Sequence, residues 1–286
     1  MTCGWLPDYG VGAFYPEQMV SADRPVAMFD SGFGGLTVAR AVIDLLPNEH
    51  IVYFGDTARY PYGPRTHKEV RGFARQIAEW LIATHDPKMI VVACNTASAV
   101  ALDELQAMVD VPVIGVLEPG LRSLLEVTVT GRVGMIGTVG TVASGAYQEL
   151  SHALAPGVSL TCAACPGFVE FVERGETRSD QVHVLAERLL APVQDAKVDS
   201  LLLGCTHYPF LARTIGDVMG RDVVLVSSAD ETAFEVQRSI AALGADRTGG
   251  EPPTRRFVSS GDVETFARLG RQLLGPELDA VEAHQW

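Results

Sequence analysis

Lysine is scarce in this 286-residue chain: only Lys68, Lys88 and Lys197 occur. An enzyme built on pyridoxal phosphate needs a lysine to hold that group as a Schiff base. Lys88 and Lys197 fall just before two apolar runs, at the wrong end for a strand-end site, and Lys68 opens a helix within a charged stretch. None is placed as a cofactor lysine, so that chemistry is set aside. Apolar runs long enough to span a bilayer are missing, and the N-terminus has no basic segment followed by an apolar core. No membrane association is expected. The five cysteines are an odd number without framework spacing, which excludes a disulfide-stapled fold and fits a reduced, cytoplasmic protein. Basic residues are outnumbered, 22 Lys and Arg against 35 Asp and Glu, for a net charge of −13. That balance excludes a broad nucleic-acid or anionic-membrane surface. It leaves an anionic small substrate open, because a local site can be lined with amides and hydroxyls.

Hydrophobic residues make up 47% and charged residues 20% of the chain, which predicts a packed core. Two stretches organise it: Ile90-Val-Val-Ala-Cys94-Asn-Thr-Ala-Ser98 and Leu201-Leu-Leu-Gly-Cys205-Thr-His-Tyr-Pro209. Each reads as a strand buried on both faces. Each ends in a cysteine, where open α/β sheets bind ligands. The plan around them recurs. Val26 to Ser31 matches Val133 to Thr138, Cys94 matches Cys205, and Pro112 matches Val223, at spacings of 107 to 111 residues. Recurrence at a nearly fixed spacing predicts internal duplication. Strands alternating with helices predict parallel sheets.

The expected fold is therefore α/β, with two pseudo-symmetric, doubly wound parallel-sheet domains and the active site in the cleft between them. Residues 1–23 form an N-terminal extension, partly ordered by Trp5, Phe14 and Tyr15. Residues 24–118 with 228–286 form the first domain and 119–227 the second. Helices are predicted over Leu36 to Leu46, Lys68 to Thr84, Ala97 to Val109, Thr141 to Leu154 and Val263 to Leu274. Ser228-Ala-Asp-Glu carries a helix N-cap signature. Arg256 to Ser260 adds a strand to the first half, and the Gly- and Pro-rich Gly244 to Thr254 reads as a linker. The loop Arg59 to Pro64 is irregular, and its tyrosines are placed to cover a pocket.

Two strand-end thiols suit racemisation of an amino acid. A proton must leave a weakly acidic carbon and another must return from the opposite face, which two bases on facing walls can do. A thiol has an unperturbed pKa of roughly 8.5, so modest tuning gives a thiolate near neutrality. Cys94 and Cys205 are the predicted pair. Asp30 beside Cys94 and His207 beside Cys205 are the predicted assisting groups. Ser31, Asn95, Thr96, Thr138 and Thr206 supply uncharged hydrogen bonds.

These residues carry a family resemblance. Phe29-Asp-Ser-Gly-Phe-Gly-Gly-Leu-Thr37, Tyr53-Phe-Gly-Asp-Thr-Ala-Arg59, Pro61-Tyr-Gly63, Ala93-Cys-Asn-Thr-Ala97, Cys165-Pro166, Val172-Glu173 and Leu203-Gly-Cys-Thr-His-Tyr-Pro209 resemble glutamate racemase, of the aspartate/glutamate racemase superfamily, over roughly residues 25–275. The resemblance implies cofactor-independent interconversion of L- and D-glutamate, supplying D-glutamate for bacterial peptidoglycan. It implies that Cys94 acts on the D-enantiomer and Cys205 on the L-enantiomer, assisted by Asp30, Glu173 and His207. It implies substrate contacts at Asp30, Ser31, Tyr62, Gly63, Asn95, Thr96, Thr138, Thr141, Thr206 and His207. No metal or cofactor is expected, and a homodimer is. The chain departs from the family pattern at Phe168-Val-Glu-Phe171, at Tyr60 and in its N-terminal extension.

Other readings are weaker. Cys162-Ala-Ala-Cys165 has redox or zinc spacing, but no second pair partners it. Cys3 is an exposed tail thiol. Asp30 could simply cap the next helix, Glu173 could be a solvated acid, and His207 a packed core histidine. His50, His67, His85, His152, His183 and His284 read as surface or loop residues. A dinucleotide fingerprint fails because Thr37 stands where its third glycine belongs. A non-catalytic amino-acid-binding protein needs a cleft but not two thiols. Aspartate racemase is the nearest rival enzyme.

Overall fold

The computed structural model describes residues 20–286. Of the expected extension only Val20–Asp23 falls within that range; Cys3, Trp5, Phe14 and Tyr15 lie outside the described residues.

The first half runs β1 (Val26–Asp30), α1 (Leu36–Leu45), β2 (Ile51–Gly55), α2 (His67–His85), β3 (Met89–Val92), α3 (Asn95–Met108) and β4 (Val113–Gly115). The second half follows as α4 (Leu117–Val127), β5 (Arg132–Gly137), α5 (Val139–Ser144), α6 (Ala146–Leu154), β6 (Ser159–Ala164), α7 (Phe168–Glu173), α8 (Asp180–Asp195), β7 (Ser200–Gly204), a 3-10 turn at Tyr208–Leu211, α9 (Ala212–Met219) and β8 (Val224–Val226). The chain then returns through α10 (Ala229–Ala242), β9 (Arg255–Ser259), α11 (Val263–Leu274) and β10 (Val281–Ala283).

Two parallel sheets result. The first has the order β10-β9-β2-β1-β3-β4 and the second β6-β5-β7-β8. The four strands of each half thus share one order, with the first strand between the second and the third. The two-domain parallel-sheet fold is as expected.

The strands are apolar on both faces because both are covered. In β1, Val26 and Met28 belong to one buried cluster and Ala27 and Phe29 to another, as alternation requires. The Ala27 side is closed by α2 and α3, through Val70, Ala74, Ile77, Ala101 and Leu105. The Val26 side continues through Leu36, Leu121 and Leu124 into Val133, Leu201 and Leu202 of the second sheet. One apolar core therefore joins the halves, and α10, packed on α1 and α4, braces it. Each fully buried aliphatic side chain contributes about 1.5–3 kcal/mol, which fixes how the sheets face each other.

Three local expectations are corrected. The helix predicted over Thr141 to Leu154 is two helices, because Gly145 takes φ 76° and turns the chain between them. Ser228 does not cap α10: its backbone is helical, at φ −79° and ψ −6°, so its hydroxyl does not reach forward. The Ser227 hydroxyl accepts from Ala229 N instead, at 3.3 Å. The Gly244 to Thr254 stretch is pinned rather than a free linker. Buried Arg247 donates to Asn48 O at 2.8 Å and Glu251 O at 2.6 Å, and its own N–H donates to Glu49 Oε1 at 3.0 Å.

Candidate active site

In both halves the strand order reverses beside the first strand, and such switch points open crevices at the carboxyl ends of strands. The ends of β1 and β3 deliver Asp30, Ser31 and Cys94, while those of β5 and β7 deliver Thr138, Cys205, Thr206 and His207. These two groups meet. A pocket of about 290 Å³, counting the open solvent at its mouth, is lined by Ser31, Tyr60, Pro61, Tyr62, Gly63, Cys94, Asn95, Thr96, Thr138, Val169, Cys205, Thr206 and His207. Both thiols border it, one from each half.

Cys94 is the N-cap residue of α3, and its Sγ accepts from Ala97 N at 3.5 Å. A helix N-terminus favours negative charge on a cysteine there. Burial outweighs that help: desolvation, then the neighbouring Asp30 carboxylate, pushes the Cys94 thiol up to about 12. Burial also pushes Cys205 up strongly, against the backbone N–H of His207, with Cys94 and Asp30 adding to the rise. In the protein alone, burial therefore works against the tuning toward neutrality that the proton transfer needs. Burial thus favours the neutral SH form of both, because a buried thiolate loses much of its solvation.

Asp30 is fully buried, with Oδ2 accepting from Gly32 N at 3.1 Å and Gly35 N at 3.0 Å. Its Oδ1 is buried without a partner. It thus holds the turn before α1 and keeps one oxygen uncommitted near Cys94. Buried His207 packs edge-on against Phe33, with ring centroids 4.9 Å apart, and faces Tyr60 at 5.8 Å. Its Nε2 lies 3.5 Å from Glu173 Oε1, a contact that stops short of a hydrogen bond. Glu173 itself stands outside the cavity lining, with 31% of its side chain exposed. It is neither remote from the site nor inside it.

Hydroxyls stitch the walls together. Thr96 Oγ1 of the first half lies 2.9 Å from Thr138 Oγ1 and 3.1 Å from Thr141 Oγ1 of the second. Asn95 Nδ2 donates to Tyr147 OH at 3.0 Å, leaving its Oδ1 buried and unpartnered. Gly140 N donates to Gly63 O at 2.9 Å across the cleft. A Cβ at Gly63 would sit 2.8 Å from Thr138 Cβ, so glycine is what permits this approach. The Tyr62 hydroxyl donates to the buried Asp56 carboxylate. Thr141 and Asp30 lie behind the lining rather than in it.

Residues 36–235 match the family model for Asp/Glu/Hydantoin racemase. A glutamate racemase of Acidothermus cellulolyticus is 49% identical over 258 residues, covering 90% of this chain and 97% of that protein.

The chain belongs to the glutamate racemase family.

As a racemase it is an isomerase. Solved glutamate racemases share the fold. That of Bacillus anthracis, isoform RacE1, superimposes with a TM-score of 0.86 at 38% identity, covering 94% of this chain and 98% of that one. The Francisella tularensis glutamate racemase, solved with D-glutamate, gives 0.86 at 33% identity over 92% and 98%.

Pro61 and Val169, which lie in stretches named above but outside the expected site residues, also line the cavity. Nothing local marks them, since an exposed and a cleft-facing valine read alike. Sequence reasoning also took His284 for a surface residue. That ring packs 4.8 Å from Trp80 and 4.6 Å from Trp286. Lys88 is fully buried, against expectation for a lysine, yet Glu49 holds it at 2.5 Å at the amino end of β3, opposite Cys94. Among the described residues lining the cavity there is no lysine.

Proposed function

We propose that this enzyme interconverts L- and D-glutamate without a cofactor, by proton transfer between Cys94 and Cys205. The observation that carries the reading is that these two thiols, from duplicated positions in two half-folds, line one small cavity. For one enantiomer, a thiolate at Cys94 takes the α-proton as the Cys205 thiol delivers its own to the opposite face. For the other enantiomer the roles exchange. One C–H bond breaks and one forms, and the two sulfurs end with their protonation reversed. Cys94 serves the D-enantiomer and Cys205 the L-enantiomer.

The raised thiol of Cys94 sets an energetic requirement. A shift from 9.0 to about 12 corresponds to about 4 kcal/mol against ionisation. A unit positive charge about 4 Å away contributes a similar amount, about 4 kcal/mol, at an effective dielectric of 20. The α-ammonium of an amino acid is that charge, so substrate itself makes the thiolate accessible. Asp30, with Oδ1 free, receives the Cys94 proton, and His207, backed by Glu173, serves Cys205. The free Asn95 Oδ1 accepts from the ammonium. Ser31, Thr96, Thr138 and Thr206 with the Gly63 main chain hold the carboxylates, and Thr141 orients Thr96 and Thr138. Tyr62 contributes through its backbone and ring, since its hydroxyl is committed to Asp56. The D-glutamate formed feeds peptidoglycan synthesis.

The test is α-carbon deuterium exchange in heavy water, with each enantiomer of glutamate and of aspartate and no added cofactor. Wash-in with inversion for both glutamates and not for aspartate is expected, and Cys94→Ser and Cys205→Ser should each abolish inversion in a folded protein. Full activity in either variant sinks the two-thiol mechanism. Turnover of aspartate in place of glutamate makes the enzyme an aspartate racemase.

A further inference from the structure

The cavity loop Arg59 to Pro64 is held from behind by a segment distant in sequence. Its hub is Asp56, fully buried at the end of β2. One carboxylate oxygen accepts from Ser260 Oγ at 2.7 Å and from the Trp286 indole Nε1 at 3.0 Å. The other accepts from Arg59 Nε at 2.7 Å and from the Tyr62 hydroxyl. The Arg59 guanidinium is sandwiched, 4.0 Å from the Trp286 ring centroid and 4.4 Å from that of Phe73. Trp286 is seated in turn by Phe54 at 5.4 Å and His284 at 4.6 Å, and by the β10–β9 pairing, which His284 N extends onto Ser259 O at 2.9 Å.

Arg59 and Tyr62 are thus two points on one short loop, both tied to Trp286 through the Asp56 carboxylate and Arg59 also by direct stacking. The next residue, Gly63, makes the backbone bond across the cleft to Gly140. The chain of contact runs from Trp286 through Asp56 and Arg59 to Tyr62 and Gly63, and so to the opposite wall.

We infer that Trp286 is a positioning residue for the racemase reaction: it holds the Arg59–Pro64 loop in the arrangement that closes the cleft on substrate. The inference rests on the racemase reading above. Trp286 does not line the cavity, so its loss acts on the population of the closed loop, not on the thiols. An enzyme whose binding-competent form is populated only in part shows a weakened apparent affinity, by that fraction. At saturating substrate the closed form is restored and turnover recovers.

The experiment compares wild type, Trp286→Ala and Trp286→Phe, with steady-state racemisation in both directions and thermal unfolding for each. Removing a hydrogen bond to a buried charge is worth about tenfold in an equilibrium. Trp286→Ala should raise KM by about tenfold with kcat within about twofold, the split expected when only binding is lost. Trp286→Phe keeps a ring on Arg59, loses the N–H, and should fall between. Linkage demands the converse, so saturating D-glutamate should slow hydrogen exchange of the His284 amide in wild type. An unchanged KM in Trp286→Ala overturns the inference, even with a lowered Tm, because that pattern is structural support alone. Should Trp286→Ala not fold, an unchanged KM in Trp286→Phe together with unaltered His284 exchange overturns it equally. Wild type without racemase activity sinks the racemase reading instead, and the exchange measurement still reports whether the loop and Trp286 are coupled.

Discussion

Gly34→Ala is the sharpest probe of how the two halves meet. Gly34 lies in the turn after β1, outside the left-handed region, so alanine meets no backbone penalty there. What it meets is the other wall. An added Cβ falls 2.6 Å from His207 Cε1, from His207 Nδ1 and from Thr206 Oγ1. Carbon contacts settle at about 3.5 Å or more, so about 0.9 Å must open. His207 cannot swing aside: it is 2% exposed, with the Phe33 ring against its face edge at 4.9 Å. The halves must part or the turn must shift. Overpacking of this kind costs about 1–3 kcal/mol. Spent on separating the walls, that is about 5- to 150-fold in kcat/KM. Gly72→Ala is the matched control: it sits on the exposed face of α2 with nothing within 4 Å of its Cβ, and should gain about 0.5–1 kcal/mol from helix propensity. Initial racemisation rates and thermal unfolding of both variants decide the matter. Wild-type kcat/KM in Gly34→Ala refutes the view that this turn and His207 are held in direct contact in the working enzyme.

Two further outcomes follow from buried charge. Lys88 Nζ is held by Glu49 at 2.5 Å and by the carbonyls of Ala22 and Ala245, each at 2.8 Å. Lys88→Met strands the Glu49 charge and should destabilise by about 3–5 kcal/mol in urea unfolding. Its kcat should stay near wild type, because Lys88 precedes β3 at the end away from Cys94; a collapse of kcat in folded protein would contradict that separation. The Cys94 thiol gives an alkaline signature. Its folded value of about 12 stands above the ordinary 9.0, so above pH 9 the unfolded chain loses this proton while the folded one keeps it. Stability from this group is complete below pH 9 and is lost as pH rises toward 12. Cys94→Ala should flatten the fall in urea midpoint over that window, and an unchanged slope would mean the thiol is not buried as neutral SH.

Much of this was legible from local pattern. Strands apolar on both faces announced covered parallel sheets. The repeat of Val26 at Val133 and of Cys94 at Cys205 announced two halves with one plan. A strand-end cysteine followed by small polar residues places a thiol at a carboxyl edge whatever the rest of the chain does. The break at Gly145 and the helical backbone of Ser228 were less legible, because propensity permits either outcome and packing chooses. Pro61, Val169 and His284 were illegible for a stronger reason, since their surroundings are assembled from several separate segments, as with Trp80 beside His284 at 4.8 Å.

The amino-acid order alone thus determined which groups can do chemistry and at which strand ends they stand, because alternation and strand length are local properties. Tertiary structure decided what those groups become. Apposing the two sheets turned solvent-accessible thiols into neutral buried ones, since ionisation depends on the surrounding dielectric and not on the residue. It also recruited Trp286 to the back of the cavity loop, a contact made by the meeting of segments that no local rule connects.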